Sequence, residues 1–208
     1  MASEPKFIVV EGLEGAGKST AMAHISQWLA LRGIKPVCTR EPGGTPLAEK
    51  LRELVKQVQT DEHIAPQTEL LLMYAARMQL VANVIKPALA GGQWVLADRH
   101  DMSSRAYQGG GRGISDDIID PLRRMVLGDL KPDLTLYLDI DPAIGLQRAK
   151  ARGELDRIEL EQLAFFQRTR EKYLHIANTE PGISIINANL PLAEVQQQLS
   201  NALNQLVA

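Results

Sequence analysis

Short apolar stretches alternate with longer stretches of helical periodicity along the whole chain. Lys6–Val10 is a continuous apolar stretch of strand length, rich in β-branched residues, which is typical of a parallel strand covered on both faces. Similar stretches predict four further strands at Pro36–Arg40, Trp94–Ala97, Leu134–Leu138 and Ile183–Ile186. Because helical segments separate these strands, the pattern predicts an α/β fold with crossover connections and a mostly parallel sheet.

Start and stop signals delimit the helical segments. Ser115 precedes two aspartates and suits an N-cap, while Asp141-Pro142 combines an N-cap with a proline at the first helical position. The periodicity predicts helices at Lys18–Arg32, Leu47–Val58, Gln67–Asn83 and Leu192–Val207, and a flexible loop at Gly109–Gly113. Gln67–Asn83 is apolar on more than one face, so it is expected to be buried on two sides. Its outer side, around Leu71, Tyr74 and Met78, is expected to pack on a second copy of the chain.

Composition narrows the class of protein. With 208 residues, 45% hydrophobic and 23% charged, and with no Pro- or Ser-rich linker, residues 1–208 are expected to form one globular domain. The net charge of -2 argues against a general polyanion binder, so no nucleic-acid partner is expected. Cys38, the single cysteine, is expected in the core of a cytoplasmic protein. The polar segment 1–6 suggests no signal peptide, and no apolar stretch reaches the roughly 18 residues of a membrane span.

A phosphate-binding loop follows the first predicted strand. Residues 12–19, GLEGAGKS, match G-x-x-x-x-G-K-[ST] and open a predicted helix. The glycines let backbone N–H groups converge on phosphate oxygens, Lys18 would reach the β- and γ-phosphates, and Ser19 would ligate Mg²⁺. The predicted ATP-binding residues are Gly12, Leu13, Glu14, Gly15, Ala16, Gly17, Lys18, Ser19 and Thr20.

Charged residues stand where predicted strands end. Glu11 directly precedes the loop and could orient Mg²⁺ or contact an acceptor nucleotide. Asp98 and Arg99 close the third strand at its carboxyl end, the edge that faces the ligand crevice in parallel sheets. There Asp98 could hold Mg²⁺ through water, and Arg99 could clamp a phosphate with two hydrogen bonds. Asp139 ends the fourth strand and is interpreted as structural.

A dense group of arginines surrounds Gly153. Arg148 and Arg152 are four residues apart and share a helix face, and Arg157 follows shortly after. Charge runs are usually solvated helix faces. Beside a phosphate-binding loop, however, arginines on a segment that can bend are suited to neutralise the charge that develops during phosphoryl transfer. Residues 142–160 are therefore interpreted as a catalytic lid.

These motifs together resemble those of the bacterial thymidylate kinases over nearly the whole chain. The segments that carry the resemblance are Glu11–Thr20, Thr39–Thr45, Tyr74–Arg77, Asp98–His100, Ala106–Gly113, Asp133–Asp139 and Arg152–Glu159. The resemblance implies a P-loop kinase fold with a five-stranded parallel sheet flanked by helices, working as a homodimer. It also implies transfer of a phosphoryl group from ATP, with Mg²⁺, to thymidine 5′-monophosphate (dTMP) in dTTP biosynthesis.

The resemblance also assigns residues to the two substrates. Arg99 would bind the acceptor phosphate, Glu11 would lie by the transferred group, and Arg77 would face the thymine edge. Met73 stands where many members carry a phenylalanine that stacks on thymine. The implied dTMP-binding residues are Glu11, Met73, Arg77, Arg99, Ser104, Tyr107 and Gln108. The implied catalytic residues are Lys18, Glu11, Arg99, Arg148, Arg152 and Arg157, and the metal-binding residues are Ser19 and Asp98.

The residues alone leave other activities open. A kinase for a different nucleoside monophosphate or a small hydroxylated metabolite would use the same loop, and so would a nucleotide-dependent switch with no acceptor. The chain has no N-K-x-D motif, which argues against a GTPase switch. An arginine at position 77 can donate to the O4 atom of thymine but not to the amino group of cytosine. Apolar side chains at Leu51, Leu54 and Met73 could accommodate a 5-methyl group.

Overall fold

A computed structural model of the chain describes residues 4–58, 62–151, 153 and 155–207. It contains one five-stranded sheet, all parallel, in the order β2-β3-β1-β4-β5. The strands are β1 (Phe7–Gly12), β2 (Val37–Arg40), β3 (Val95–Asp98), β4 (Leu134–Asp139) and β5 (Ile183–Asn187). The α/β prediction is confirmed, and every predicted strand is present. Because β1 lies between β3 and β4, the loop that follows β1 leaves the sheet where the strand order reverses, the usual ligand position in such sheets.

Helices cover both faces of this sheet. They are α1 (Lys18–Ala30), α2 (Pro46–Lys56), α3 (Pro66–Leu80), α4 (Lys86–Ala90), α5 (Asp101–Ser104), α6 (Asp116–Leu127), α7 (Pro142–Lys150), α8 (Leu163–Thr179) and α9 (Leu192–Leu206). Two π-helical turns, Val81–Ile85 and Arg105–Gly111, continue α3 and α5. In the described parts of the chain, no helix is both long and apolar enough to cross a membrane.

Alternate residues of β1 belong to two different hydrophobic cores. Ile8 and Val10 pack in a core with α1, α8 and α9, whereas Phe7 and Val9 pack in a core with α3 and α6. All six residues of β1 are buried, as expected for a central parallel strand. The two cores hold β1 and the loop after it in a fixed position between the helical layers.

The helix caps follow the sequence closely. Ser115 accepts the N–H of Asp117 at 3.3 Å, and Asp141 accepts the N–H of Ala143 at 2.8 Å. In both helices a side-chain oxygen therefore satisfies a backbone donor that has no partner within the first turn. Gly33, with φ 72°, follows α1 in the left-handed conformation expected after a helix end.

Three structural predictions are wrong. Most of Gly109–Gly113 is not a loop, because residues 105–111 form a π-helical turn that packs against α8. Cys38 is exposed, because β2 is an edge strand whose alternate side chains face outward. Tyr74 does not face a second copy: its side chain is buried, and its hydroxyl donates to Asp101 at 2.8 Å.

The glycines at 110 and 111 explain why a flexible loop does not form. A Cβ at Gly110 would lie 2.6 Å from the Cβ of Lys172, and one at Gly111 would lie 2.5 Å from Cε2 of Phe165. Both neighbours belong to α8, so the glycines serve close packing of two helical segments. In the sequence, glycines needed for close packing cannot be told apart from glycines needed for a turn.

Replacing Gly111 by alanine should destabilise the fold. We expect the free energy of unfolding in urea to fall by about 1–3 kcal/mol, because the methyl group overlaps the Phe165 ring and the Thr169 hydroxyl. Gly109→Ala is the matched control, since the nearest neighbour of its methyl group would be the flexible end of Ile119, at 3.2 Å. Equal stability of the two variants would contradict the packing role.

Candidate active site

A cleft of about 650 Å³ opens at the carboxyl edge of the sheet. It brings together side chains that are far apart in the sequence. The phosphate-binding loop and α1 supply Glu14, Gly15, Gly17, Lys18, Ser19 and Thr20. The predicted residues that join them are Met73, Arg77, Asp98, Arg99, Ser104, Tyr107, Gln108 and Arg148. The cleft therefore contains most of the predicted donor and acceptor residues.

The phosphate-binding loop is shaped by glycine conformations and by contact with α7. Gly15 has φ 74° and Gly17 has φ 90°, values that side-chain-bearing residues rarely adopt. A Cβ at Gly15 would lie 2.1 Å from the carbonyl oxygen of Gly145 in α7. Lys18 Nζ folds back over the loop and donates to the carbonyl oxygens of Gly12 and Leu13, at 3.2 and 3.1 Å. The loop's own carbonyls thus bind the ammonium group.

The surroundings of Lys18 lower the pKa of its ammonium group to about 8. Burial is the main cause and the positive charge of Arg99 adds to it, while the negative charge of Glu14 opposes both. Phosphate oxygens bound in the loop would add negative charge next to the ammonium group. Nucleotide binding is therefore expected to raise this pKa.

Arg99 is held in place by its backbone conformation and by four neighbouring side chains. Its backbone has φ 71°, which is rare for a residue with a side chain, and its side chain is partly buried, with 15% of its surface exposed. Nη2 lies 2.8 Å from Glu14 and 3.3 Å from the hydroxyl of Tyr107, while Nη1 donates to Ser103 at 3.1 Å and to Tyr173 at 3.4 Å. The guanidinium group of Arg99 therefore lies between the phosphate-binding loop and the turn that carries Tyr107.

The side chain of Glu14 is hydrogen-bonded to two other residues of the cleft. Its carboxylate accepts from Arg99 and, at 2.6 Å, from the hydroxyl of Tyr107. The side chain is therefore directed away from the phosphate-binding role predicted for it among the ATP-binding residues. Its backbone remains part of the loop.

Glu11 is placed differently from its prediction. It is fully buried, does not line the cleft and accepts four hydrogen bonds. Oε1 accepts the N–H groups of His100 and Ser103, at 2.8 and 3.2 Å, and Oε2 accepts the hydroxyls of Ser103 and Tyr173, at 2.5 and 2.9 Å. Glu11 thus holds the turn around Arg99 instead of reaching the transferred group. Burial outweighs these hydrogen bonds and raises the pKa of the Glu11 carboxyl.

The far wall of the cleft is polar and tightly hydrogen-bonded. Arg77 Nη2 donates to Ser104 at 2.9 Å and to the carbonyl oxygen of His100 at 3.0 Å, and its Nε donates to Glu41 at 2.7 Å. Gln108 donates to the buried Glu69 at 2.8 Å. Met73 is the apolar residue beside these groups.

The apolar residues of α2 do not join Met73. Leu51 and Leu54 do not line the cleft, and Leu54 is exposed. The interpretation that they accommodate a 5-methyl group is therefore wrong, because α2 turns these side chains away from the cleft.

Asp98 and Ser19 could share a divalent cation with the substrate. Asp98 lines the cleft, and its Oδ1 is buried without a hydrogen-bond partner among the described residues. An unpartnered carboxylate oxygen beside a phosphate-binding loop suits Mg²⁺, which is usually bound by one or two protein oxygens, water and substrate phosphates. The described residues contain no group of three or more His, Cys, Asp or Glu that could hold a metal ion.

The predicted lid arginines do not share one position. Arg148 lines the cleft, and Arg152 lies outside the described residues. Arg157 does not line the cleft: it forms an ion pair with Glu69, and its Nε donates to the carbonyl oxygen of Val55 at 2.8 Å. Its Nε and Nη2 atoms are directed to the end of α2 and to the buried carboxylate of Glu69, so its position does not fit the predicted role at the phosphoryl group.

Further residues of the cleft were not predicted as site residues. Arg52 and Lys56 line it from α2, and Arg40 and Glu41, within the segment Thr39–Thr45 that carries the resemblance, line it from the end of β2. The spacing of four between Arg52 and Lys56 marks a shared helix face and could have indicated them. Tyr173 in α8 does not line the cleft, but its hydroxyl contacts Glu11 and Arg99, and no local pattern in the sequence indicates this.

A smaller pocket of about 220 Å³ adjoins the phosphate-binding loop. Thr20 and Arg148 line both this pocket and the main cleft. The rest of its wall is mainly apolar and includes Ala16, Leu190, Leu192 and Val195. A flat heterocycle attached to a phosphate chain in the loop would meet an apolar surface here, beside a guanidinium group.

Comparison with known proteins gives one consistent answer. Residues 10–199 match the family model described as thymidylate kinase. The chain is 62% identical over 205 residues to the thymidylate kinase of Pseudoalteromonas translucida (strain TAC 125). The aligned region covers 99% of this chain and 98% of the relative. It is 60% identical over 200 residues to the thymidylate kinase of Vibrio parahaemolyticus serotype O3:K6 (strain RIMD 2210633), covering 96% and 95%.

The lowered pKa of Lys18 predicts a pH-dependent affinity for nucleotide. The protonated amine is the form that pairs with phosphate, so above about pH 8 the free protein must take up a proton when it binds. We expect the dissociation constant of ADP to rise several-fold between about pH 7 and about pH 9, with proton uptake measured by calorimetry in buffers of different ionisation enthalpy. Lys18→Ala should lose this uptake. A wild-type complex that forms without it would contradict the assignment.

Proposed function

The chain belongs to the thymidylate kinase family, and from this membership we propose how its cleft carries out the family's reaction. The protein phosphorylates dTMP to the diphosphate, with ATP as the donor, in nucleotide biosynthesis. The observation that carries the site assignment is that one cleft contains the phosphate-binding loop, the preset guanidinium of Arg99 and the polar wall around Arg77. Donor and acceptor can therefore meet at Arg99.

The donor binds in and beside the phosphate-binding loop. The backbone N–H groups of Gly12–Ser19 cradle its phosphates, and the ammonium of Lys18 moves from the loop carbonyls to the β- and γ-oxygens. The adenine lies in the smaller pocket against Leu190 and Leu192, next to the guanidinium of Arg148. Thr20 stands between the two halves of the donor site.

The acceptor binds across the cleft from the donor. Arg99 binds its phosphate and keeps it in line with the γ-phosphate, because the hydrogen bonds that it donates to four neighbouring groups already fix the guanidinium. Arg77 donates to the O4 edge of thymine, Gln108 lies at the base, and Ser104 orients Arg77. Met73 packs on the base in place of an aromatic ring.

Mg²⁺ is held by Ser19 and Asp98 together with the substrate phosphates. When bound, it neutralises negative charge on the phosphates and thereby eases transfer. The unpartnered Oδ1 of Asp98 supports this placement. Asp139, which ends the neighbouring strand, is paired with Arg170 at 2.7 and 2.8 Å and is interpreted as structural.

Positive charge near the transferred group has two further sources. Arg148 already lines both pockets, and Arg152 is proposed from its sequence position beside Gly153 to close over the phosphates. Both guanidinium groups would stabilise the charge that spreads over the equatorial oxygens in the transition state. Arg157, by contrast, anchors the end of residues 142–160 to α2 and α3.

The biological unit is proposed to be a homodimer of single-domain chains. Leu71 and Met78 are exposed on α3, and Ile118 and Met125 are exposed on the adjacent α6. These four side chains, which lie outside both cores, are proposed to form one apolar face. Such a face on a protein of net charge -2 suits a second copy better than a nucleic acid. The single cysteine and the nucleotide substrates support a cytoplasmic location.

The acceptor preference provides the direct test. ADP release is measured with the deoxy and ribo monophosphates of thymine, uracil, cytosine, guanine and adenine, and dTMP should be used most efficiently. Arg77→Ala should lower the efficiency with dTMP and reduce the preference for dTMP over dCMP, because the base then loses a buried hydrogen bond worth roughly 1–3 kcal/mol. Lys18→Ala should remove nearly all turnover while the protein stays folded. An unchanged dTMP to dCMP ratio in Arg77→Ala would rule out base reading by Arg77.

Asp98→Asn should weaken the use of Mg²⁺. We expect the Mg²⁺ concentration for half-maximal turnover to rise about 10-fold or more, because a neutral amide is a poorer ligand than a carboxylate. Asp139→Asn is the control, since it alters another strand-end carboxylate that is outside the cleft. If both variants keep the wild-type Mg²⁺ dependence, Asp98 does not serve the metal.

A charge placed on the apolar face should split the dimer. Leu71→Glu is expected to halve the mass measured by light scattering at micromolar concentration, because dimerisation would bury the new carboxylate. Leu31→Glu, at the end of α1, changes an even more exposed leucine and should leave the mass unchanged. A wild-type protein that is monomeric under these conditions would refute the proposed assembly.

A further inference from the structure

Glu41 is a buried carboxylate in the wall that faces the acceptor base. It follows β2, and its backbone N–H donates to the carbonyl oxygen of Asp98 at 2.9 Å, which fixes the main chain. Both of its carboxylate oxygens are occupied. Oε2 accepts from Arg77 Nε at 2.7 Å, and Oε1 lies 2.7 Å from His100 Nδ1. The carboxylate therefore joins two residues of the wall that come from different elements.

The contacts of Arg77 fix the plane of its guanidinium. Glu41 holds Nε, while Ser104 and the carbonyl oxygen of His100 hold Nη2. The group also lies over the ring of Tyr74, with Cζ 4.6 Å from the ring centroid. Because Nε and Nη2 are both hydrogen-bonded and one face of the group lies over a ring, the guanidinium cannot turn toward a different base edge without breaking a charged hydrogen bond.

The wall around Arg77 is also balanced in charge. Arg77 pairs with Glu41 and lies 3.7 Å from Asp101, which in turn pairs with Arg123 of α6 at 2.6 Å. Two guanidinium groups thus face two carboxylates in this part of the structure, with the ring of His100 next to Glu41. Burial acts to raise the pKa of Glu41, but the charge of Arg77 and the contact with His100 outweigh it and keep the carboxyl ionised.

We propose that Glu41 is a specificity-determining positioning residue, which orients Arg77 and cancels its charge so that the cleft accepts an uncharged pyrimidine and disfavours an ionised one. This inference rests on the proposed role of Arg77 in reading the acceptor base. Without Glu41, the same wall would carry an excess positive charge, and an anionic base edge would gain a favourable Coulomb interaction that a neutral base does not have. The selection is therefore electrostatic as well as geometric.

Two acceptors whose bases ionise at different pH distinguish this role of Glu41 from a general loss of structure. The acceptors compared are dTMP and 5-bromo-2′-deoxyuridine 5′-monophosphate, in which bromine replaces the methyl group at similar size and makes N3 more acidic. The quantity measured is the ratio of kcat/KM for the bromo compound to kcat/KM for dTMP, between about pH 7 and about pH 9. In the wild type, this ratio should fall as the bromo base ionises.

Glu41→Gln should remove that fall. The amide retains hydrogen-bonding capacity toward Arg77 and His100 but carries no charge, so the ratio at the highest pH should be at least about fivefold above the wild-type value. Glu41→Asp keeps the charge but is one methylene shorter. It should follow the wild-type pH profile while raising KM for dTMP at least about fivefold, with KM for ATP within about twofold. Glu180→Gln, which breaks an arginine pair outside the cleft, should match the wild type in every respect.

Each outcome decides the proposal. A Glu41→Gln enzyme with the wild-type pH profile overturns the proposed role of Glu41. An unchanged KM for dTMP in Glu41→Asp also overturns it, and this second variant provides the test if Glu41→Gln does not fold. Arg77→Gln distinguishes a failure of the proposed role of Glu41 from a failure of the proposed role of Arg77. If that variant keeps the preference for dTMP over dCMP, the proposed role of Arg77 itself fails. If it loses the preference while Glu41→Gln behaves as the wild type, only the role of Glu41 fails.

Discussion

The geometry of the cleft depends on one carboxylate buried at the end of the central strand. A charge at that depth is tolerated only when hydrogen bonds surround it, and Glu11 obtains four of them from the turn after β3 and from α8. Those donors can converge only if the chain turns back sharply beside β1. Arg99, with its unusual backbone angle, lies within that turn. The burial of Glu11 thus determines where the positive charge of the cleft can lie.

The positive groups of the cleft are held by negative ones. In the cleft, Arg99 is paired with Glu14 and Arg77 with Glu41. Outside the cleft, Arg157 is paired with Glu69 in the same way, and each of the three carboxylates is at least half-buried. Such pairs contribute little net stability, because removing both charges from water is costly. Their value here lies in orientation, since each acid limits the positions that its arginine can occupy. Substrate binding then requires little rearrangement of the guanidinium groups.

Some features of this protein can be predicted from neighbouring residues in the sequence, whereas others depend on the packing of distant segments. The five strands, the caps at Ser115 and Asp141, and the phosphate-binding loop are local features, and each is visible within a few neighbouring residues. The exposure of Cys38 is not local, because it depends on β2 lying at the edge of the sheet. The helical state of residues 109–111 is not local either, because it depends on the approach of α8.

The class of fold, the family resemblance and the chemistry of the loop around Lys18 can all be predicted from the sequence, because hydrophobic period, glycine spacing and residue type are local features of the chain. The partners of the charged residues could not be predicted in this way. In the folded chain Glu11 lies beneath the cleft, Glu14 contacts Arg99 and Tyr107, and Arg157 pairs with Glu69. A buried charge is stabilised by whichever partners the fold brings near it, and those partners lie up to 162 positions away in the chain.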